Sequence, residues 1–190
     1  MTHMSKESLK PFFSVIVPVY NKEKFVSRAI ESVLSQEFSD FELIVVCDPS
    51  TDNSNAKVAM FRDERMQVFH REQPGPGGYA ARNMGIQNAR ADWICFLDAD
   101  DEWLPTHLIA SKKIIDEHPD IQFISHNYAT VCYSSTLGVF EKPKFDISRS
   151  GVFAREEVLK ILARKEIFLT DGVLLKKEVI LNSGMFPDGK

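Results

Sequence analysis

Three aspartates stand within four residues, Asp98, Asp100 and Asp101, directly after the run Trp93, Ile94, Cys95, Phe96 and Leu97. A short apolar run bounded by polar residues reads as a buried strand of a parallel sheet. The carboxylates then fall at its carboxyl end, the edge of an open α/β sheet where ligands bind. Buried charge without a partner is very costly, so Asp98 and Asp100 need one. A divalent cation carrying a phosphorylated ligand suits them. Hard cations prefer carboxylate oxygen, and magnesium takes one or two protein carboxylates plus phosphate oxygens. Asp-x-Asp alone is a weak signal. The competing reading is a solvated loop capping a helix that starts near Pro105, a residue suited to a first helical turn.

The elements that must bring those acids to a common edge are legible upstream. Phe13 to Tyr20 is rich in β-branched residues and reads as a first strand. Pro18 cannot donate to a sheet ladder, so the strand is expected to end there, with Tyr20 and Asn21 at its carboxyl end. Between Glu23 and Gln36, the residues Phe25, Val26, Ala29, Ile30, Val33 and Leu34 form one helical stripe. Phe41 to Cys47 is a second strand. It runs into Asp48-Pro49-Ser50-Thr51-Asp52-Asn53-Ser54, a cluster of turn and cap residues. Asp48 is thus a second acid at a strand's carboxyl end, while Asp52 and Ser54 read as caps. A short helix near Asn55 to Arg62 and a strand from Met66 to His70 follow. A Pro/Gly loop from Gln73 to Gly78 and a helix from Tyr79 to Ala89 then lead into the acid-tipped strand.

Strand and helix alternating at this spacing mean βαβ units and a parallel sheet with right-handed crossovers. Phe12 to Asp101 therefore reads as a Rossmann-type nucleotide-binding half. The dinucleotide fingerprint Gly-x-Gly-x-x-Gly and the Walker A loop are both absent. Gly75, Gly77 and Gly78 follow the third strand, the wrong place for either, which argues against a dehydrogenase or a P-loop enzyme.

Beyond Asp101 the pattern changes. A helix from Pro105 to Glu117 stops at His118-Pro119-Asp120. Ile121 to Tyr133 is strand-like and turns at Ser134-Ser135 into a partner at Thr136 to Glu141. A loop from Lys142 to Ser150, a helix from Arg155 to Arg164, a strand from Gly172 to Leu175 and a helical turn near Lys177 to Asn182 complete the order. The turn sequence before Lys190 is a poor place for a domain to end, so the natural protein is expected to continue.

Composition sets the outer bounds. The chain has 190 residues, 44% hydrophobic and 26% charged, which suits one globular domain with one core. A net charge of −4 without a basic stripe argues against nucleic acid as a partner. Cys47, Cys95 and Cys132 are widely separated in apolar surroundings and read as buried thiols, not as a disulfide frame or zinc site. His70, His107, His118 and His126 lack ligand spacing and read as structural. No apolar run approaches the ~20 residues of a membrane span, and Met1 to Lys10 lacks a signal-peptide core. The cytoplasm is the expected compartment.

Taken together, Ser14-Val15-Ile16-Val17-Pro18-Val19-Tyr20-Asn21, Phe41-Glu42-Leu43-Ile44-Val45-Val46, Asp48-x-Ser50-Thr51-Asp52-x-Ser54, Ala80-Ala81-Arg82-Asn83-x-Gly85-Ile86 and Phe96-Leu97-Asp98-Ala99-Asp100-Asp101 resemble the family 2 glycosyltransferases of the A-type fold. The motifs follow that family's order and spacing over about residues 13 to 187. The resemblance implies a Rossmann-like nucleotide-diphospho-sugar transferase fold. A mostly parallel central sheet would be flanked by helices, with a mixed, antiparallel acceptor-side portion. It divides the chain into a flexible N-terminus, 1–11, and one domain, 12–190. Within that domain 12–101 is the nucleotide-sugar half and 102–190 an incomplete acceptor-side half.

The resemblance also implies roles. Pro18 and Tyr20 match the strand end that packs on the base, and Asp48 the acid that hydrogen-bonds it. Gly77, Gly78 and Arg82 match the segment passing near the donor. Asp98 matches the acid near ribose and metal, and Asp100 the direct ligand of Mn²⁺ or Mg²⁺. The implied reaction moves a sugar from a nucleotide-sugar, by the family's habit a UDP-sugar, to a saccharide or lipid-linked acceptor with inversion, in polysaccharide or cell-envelope glycan synthesis. Peripheral association with the inner face of a membrane is compatible with it. Trp103 is a weaker candidate for lining the sugar or acceptor pocket.

Two departures stand out. Cys47 replaces the first of two adjacent acids, and Pro49 a usual glycine. Gly184-Met185-Phe186 matches the segment before the family's general base, but the sequence stops short of the acid pair that carries it, so that base is expected beyond Lys190; neither Asp171 nor Asp188 matches it. Two other functions compete. A sugar-phosphate nucleotidyltransferase needs a Gly-rich loop after the first strand, and Val17 to Lys22 has no glycine. A non-catalytic nucleotide-sugar binding module fits the missing base.

Overall fold

The computed structural model describes residues 10–126 and 172–187. In chain order the elements are β1 (Phe13–Val19), α1 (Val26–Leu34), β2 (Phe41–Cys47), α2 (Ser54–Val58), β3 (Met66–His70), α3 (Tyr79–Asn88), β4 (Trp93–Phe96), α4 (His107–Glu117), β5 (Phe123–Ser125), β6 (Val173–Lys176) and α5 (Lys177–Asn182). The strands form one sheet in the order β3-β2-β1-β4-β6-β5. The first four are parallel, while β6 runs antiparallel to both β4 and β5. The expected mixed α/β sheet is therefore present.

Both faces of the sheet are covered, which is why β1 and β2 read as near-continuous apolar runs, interrupted by Ser14 and Glu42. Side chains alternate across a strand. Val15, Val17 and Val19 of β1 thus join Val26, Ala29, Ile30 and Val33 of α1 on one face. Ile16 points the other way and joins Ala81 and Ile86 of α3 and Ile180 of α5. The α3 backbone approaches β1 so closely that a Cβ at Gly85 would lie 2.5 Å from Ile16 Cγ2. Only glycine permits that distance.

Pro18 does not end β1. Val19 O accepts a hydrogen bond from the Asp48 N–H, so Val19 faces β2. Pro18, one residue earlier, faces the β4 side, and the β1–β4 register already ends at Ile16↔Phe96. The missing N–H leaves no gap in the ladder. The first helix starts at Val26 instead of Glu23, because a turn closes first: the Phe25 and Val26 N–H groups both donate to Lys22 O. The fourth starts at His107 instead of Pro105, and its cap comes from another element. Thr106 makes no side-chain cap bond. Instead, Gln36 Oε1 beyond the end of α1 accepts from the Leu108 N–H at 3.0 Å, and Gln36 Nε2 donates to Leu104 O.

Lys10 pairs with Asp92 and Pro11 is buried, so both are placed against the sheet. Cys47 and Cys95 are buried free thiols, and Cys132 lies outside the described residues. So do residues 1–9, most of the strand expected over Ile121 to Tyr133, its partner at Thr136 to Glu141, the helix at Arg155 to Arg164, Asp171 and Asp188.

His107 and His126 are not scattered. Their ring centroids lie 4.6 Å apart, and His107 also stacks on Trp103 at 4.1 Å. Ser111 Oγ donates to His107 O and lies 2.7 Å from His126 Nε2. Burial, and then the neighbouring His126, push the His107 pKa down to about 3. Trp103, at 8% exposure, packs in the same cluster as the two rings.

Candidate functional site

The chain leaves β1 outward to β2 and β3, then returns to place β4 on the other side of β1. Loops from β1 and β4 therefore part company at their carboxyl ends, the usual position of a ligand crevice in such sheets. Tyr20 lies here, just past β1 and 46% exposed. Asn21 follows in the left-handed region, φ 52°, a conformation asparagine tolerates better than most residues. Its Oδ1 accepts from the Thr51 N–H at 2.8 Å. The Lys22 N–H donates to Ser54 Oγ, and the Glu23 N–H to Asp52. Asp52 and Ser54 thus stitch the loop after β2 to the loop after β1. Asp52 also accepts from the Ser54 N–H at the start of α2.

Asp48 is buried at the end of β2. Arg71 Nη1 donates to its Oδ1 at 2.6 Å, and the Gly75 N–H lies 3.3 Å from Oδ2. The acid therefore anchors Arg71 and the start of the Pro/Gly loop. Arg71 was not singled out in the sequence. The parallel register Cys47↔His70 places positions 48 and 71 side by side, and this pairing was the available signal. Cys47, standing where the resembling family has an acid, is a neutral thiol. Burial, and then the Asp48 charge, push its pKa up to about 11.

Gly77 and Gly78 both have positive φ, 60° and 69°. A Cβ at Gly78 would also lie 3.2 Å from Arg82 Nη1 and 3.5 Å from Pro18 Cβ. The loop thus brings Pro18, Gly78 and Arg82 together at the start of α3. Arg82, with its side chain only 5% exposed, donates to Gly77 O at 2.7 Å and to Asp98 Oδ1. Its Nε has no hydrogen-bond partner among the described residues. Asp98 is one-third exposed, and Asp100, 41% exposed, accepts from Lys22 Nζ at 2.5 Å. Beside them the Gly184-Met185-Phe186 segment is clasped by Asn83, which bonds both the Phe186 N–H and its carbonyl. The Phe186 ring stacks on Tyr79 and meets Phe96 edge-on.

Residues 14–158 match the model of glycosyl transferase family 2. The chain belongs to that family. Among curated relatives, an uncharacterized glycosyltransferase of Rickettsia felis is 40% identical over 143 residues, 74% of this chain and 22% of that protein. The UDP-Glc:alpha-D-GlcNAc-diphosphoundecaprenol beta-1,3-glucosyltransferase WfgD of Escherichia coli is 35% identical over 131 residues, 69% of this chain and 51% of that protein. The chain thus spans between about a fifth and a half of these relatives. TarS of S. aureus, solved with UDP-GlcNAc, superposes with a TM-score of 0.73 at 24% identity, covering 92% of this chain and 48% of TarS. The mannosyltransferase PcManGT of Pyrobaculum calidifontis, solved with GDP-Man and Mn²⁺, gives 0.66 at 20% identity, over 95% and 49%. These likenesses show the A-type, Rossmann-like glycosyltransferase fold.

The residues present fit a divalent cation. Asp98 and Asp100 offer only hard oxygen, and the Lys22 ammonium already takes up one Asp100 oxygen as a stand-in cation. No group of three or more metal-binding side chains gathers among the described residues.

Proposed function

We propose that this chain is the nucleotide-sugar-binding part of an inverting, metal-assisted glycosyltransferase that takes a UDP-sugar and serves a saccharide or lipid-linked acceptor in cell-envelope glycan synthesis. The observation that carries this reading is the convergence of Tyr20, Asp48, Arg82, Asp98 and Asp100 on the carboxyl edge of β1, β2 and β4. The choice of UDP is supported by WfgD, named for UDP-Glc. Family membership sets aside the nucleotidyltransferase reading.

In this reading Tyr20 and Pro18 pack on the base, and the Asp48–Arg71 pair forms the edge that reads it. Gly77 and Gly78 let the backbone at the start of α3 approach the donor. Asp98, oriented by Arg82, lies near the ribose. Asp98 and Asp100 would hold Mn²⁺ or Mg²⁺, which when bound stabilises negative charge developing on the leaving diphosphate. Arg82 adds a fixed positive charge to the same edge. Activation of the acceptor hydroxyl needs a general base, and none of the described residues is assigned that role.

Thermal melting tests the site. Ligand that binds only the native state raises the melting temperature. UDP with Mn²⁺ is expected to raise it by several degrees, and Asp100→Ala to abolish the gain. GDP and CMP should do less than UDP. Equal stabilisation of the wild type and Asp100→Ala by UDP and Mn²⁺ would overturn the site.

A further inference from the structure

Both acids of the Asp98-Ala99-Asp100 stretch carry a cation from this chain, and the two cations differ. Arg82 is buried, held additionally by Gly77 O, and fixed by the first turns of α3. Lys22 meets Asp100 across 78 positions of sequence, with both side chains more than a third exposed. The Lys22 backbone is pinned, however. Its N–H donates to Ser54 Oγ at 2.7 Å, and Ser54 Oγ donates to Asp52 at 2.5 Å. The preceding Asn21 is locked to Ser50 and Thr51 by three hydrogen bonds. Lys22 is therefore a partly exposed side chain on a hydrogen-bonded backbone at the carboxyl edge of the sheet.

We propose that Lys22 is an exchangeable internal counter-ion that makes metal binding depend on the nucleotide. This rests on the reading of Asp100 as the metal ligand. With no ligand present, Lys22 neutralises Asp100. An ammonium and a divalent cation cannot share that carboxylate oxygen, because like charges at such range repel strongly. A metal that takes the same Asp100 oxygen displaces Lys22. Without a nucleotide it leaves to water, and the metal bears the loss of the pair. With a nucleoside diphosphate in the crevice, the displaced ammonium stays tethered to that backbone within reach of new phosphate oxygens. Lysine suits this role: it is a flexible point charge, without the planar fork that locks arginine to one carboxylate. Exposed pairs of this kind are weak enough to exchange.

The test is Mn²⁺ binding to the 190-residue chain, read by the paramagnetic resonance signal of the free aqueous ion, with and without saturating UDP. Wild type, Lys22→Gln, Lys22→Arg and Asp100→Asn are compared. Lys22→Gln is expected to bind Mn²⁺ alone about twofold more tightly than wild type, the worth of one exposed pair. The factor by which UDP strengthens Mn²⁺ binding should shrink by a similar amount, because the variant has no displaced ammonium for the phosphates to take up. Lys22→Arg, whose planar fork holds a carboxylate more firmly, should bind Mn²⁺ alone no more tightly than wild type. Identical Mn²⁺ affinity and coupling in wild type and Lys22→Gln, with binding lost in Asp100→Asn, would overturn the role of Lys22 while leaving the metal site standing. Weaker Mn²⁺ binding by Lys22→Gln would also overturn it. No Mn²⁺ binding by wild type, with UDP or without, would overturn both.

Discussion

The two ends of the sheet each hold acids, and they treat them in opposite ways. At the amino end Glu42 of β2 is 1% exposed. It accepts from Ser14 Oγ at 2.6 Å, from the Arg90 N–H and Nε at 2.6 and 2.8 Å, and from Gln67 Nε2 at 3.2 Å. Burial alone would raise its pKa, but the bonds from Ser14 and Arg90 outweigh that and hold it below its ordinary value. At the carboxyl end Asp98 and Asp100 keep a third or more of their side-chain surface open. A saturated buried acid ties β1, β2, β3 and the turn before β4 together. The acids at the carboxyl end are only partly enclosed, so in the proposed reading the same residue type is structural at one end and ligand-facing at the other.

The largest effect that tests this contrast is Glu42→Ala. It leaves Ser14, Gln67 and the Arg90 N–H without their shared acceptor. Removing one partner of a buried, hydrogen-bonded charge is costly, so a loss of about 3 kcal/mol is expected in urea unfolding. Nucleotide binding by the remaining folded protein should be unchanged. A loss no larger than that from an exposed acid would break the comparison.

Acid titration sharpens it next. The His107 pKa is depressed from 6.5 to about 3. The unfolded chain therefore takes up the proton first, and stability present above pH 6.5 is lost as pH falls towards 3. Glu42, also depressed, contributes stability that is lost only below its ordinary value of 4.5. Between those values the imidazole pair, not the sheet's amino end, should govern. Replacing His107 with Phe, which keeps a ring against Trp103, should remove up to about 2 kcal/mol of the loss seen by about pH 5. Urea midpoints across that range check it. An unchanged slope in the variant would mean that the acid-sensitive point lies elsewhere.

These contrasts were unevenly legible in the sequence. Phe41 to Cys47 announced a strand, and its buried Glu42 passed without notice. Its partners lie at positions 14, 67 and 90 and meet only once three strands are in register. Asp98 and Asp100 stood out because an acid at the end of an apolar run has few structural uses. Their cations did not, since Lys22 and Arg82 reach them only through loop and helix geometry. The helix starts at Val26 and His107 were misplaced for one reason. Hydrogen bonds that the apolar pattern does not report, the local Lys22 turn and the distant Gln36 cap, set the starts. His107 and His126 lack ligand spacing in sequence, and it is the packing of β5 against α4 that brings their rings together.

The smallest expected effect separates the two open acids from each other. Asp98→Asn removes the charged partner of an arginine whose side chain is 5% exposed. Arg82 keeps Gly77 O but loses a charge-assisted bond in a place where water reaches poorly, so a loss of about 1–2 kcal/mol is expected. Asp100→Asn releases only a lysine that is itself 36% exposed and readily hydrated. Its cost should stay within about 0.5 kcal/mol, and a Lys22→Gln, Asp100→Asn double-mutant cycle should give a coupling of the same small size. Urea unfolding in low and high salt decides it, because an exposed pair is screened and a buried one is not. If Asp100→Asn proved as damaging as Asp98→Asn, and insensitive to salt, the Lys22 pair would be structural like Glu42. The carboxyl end would then hold one available acid instead of two.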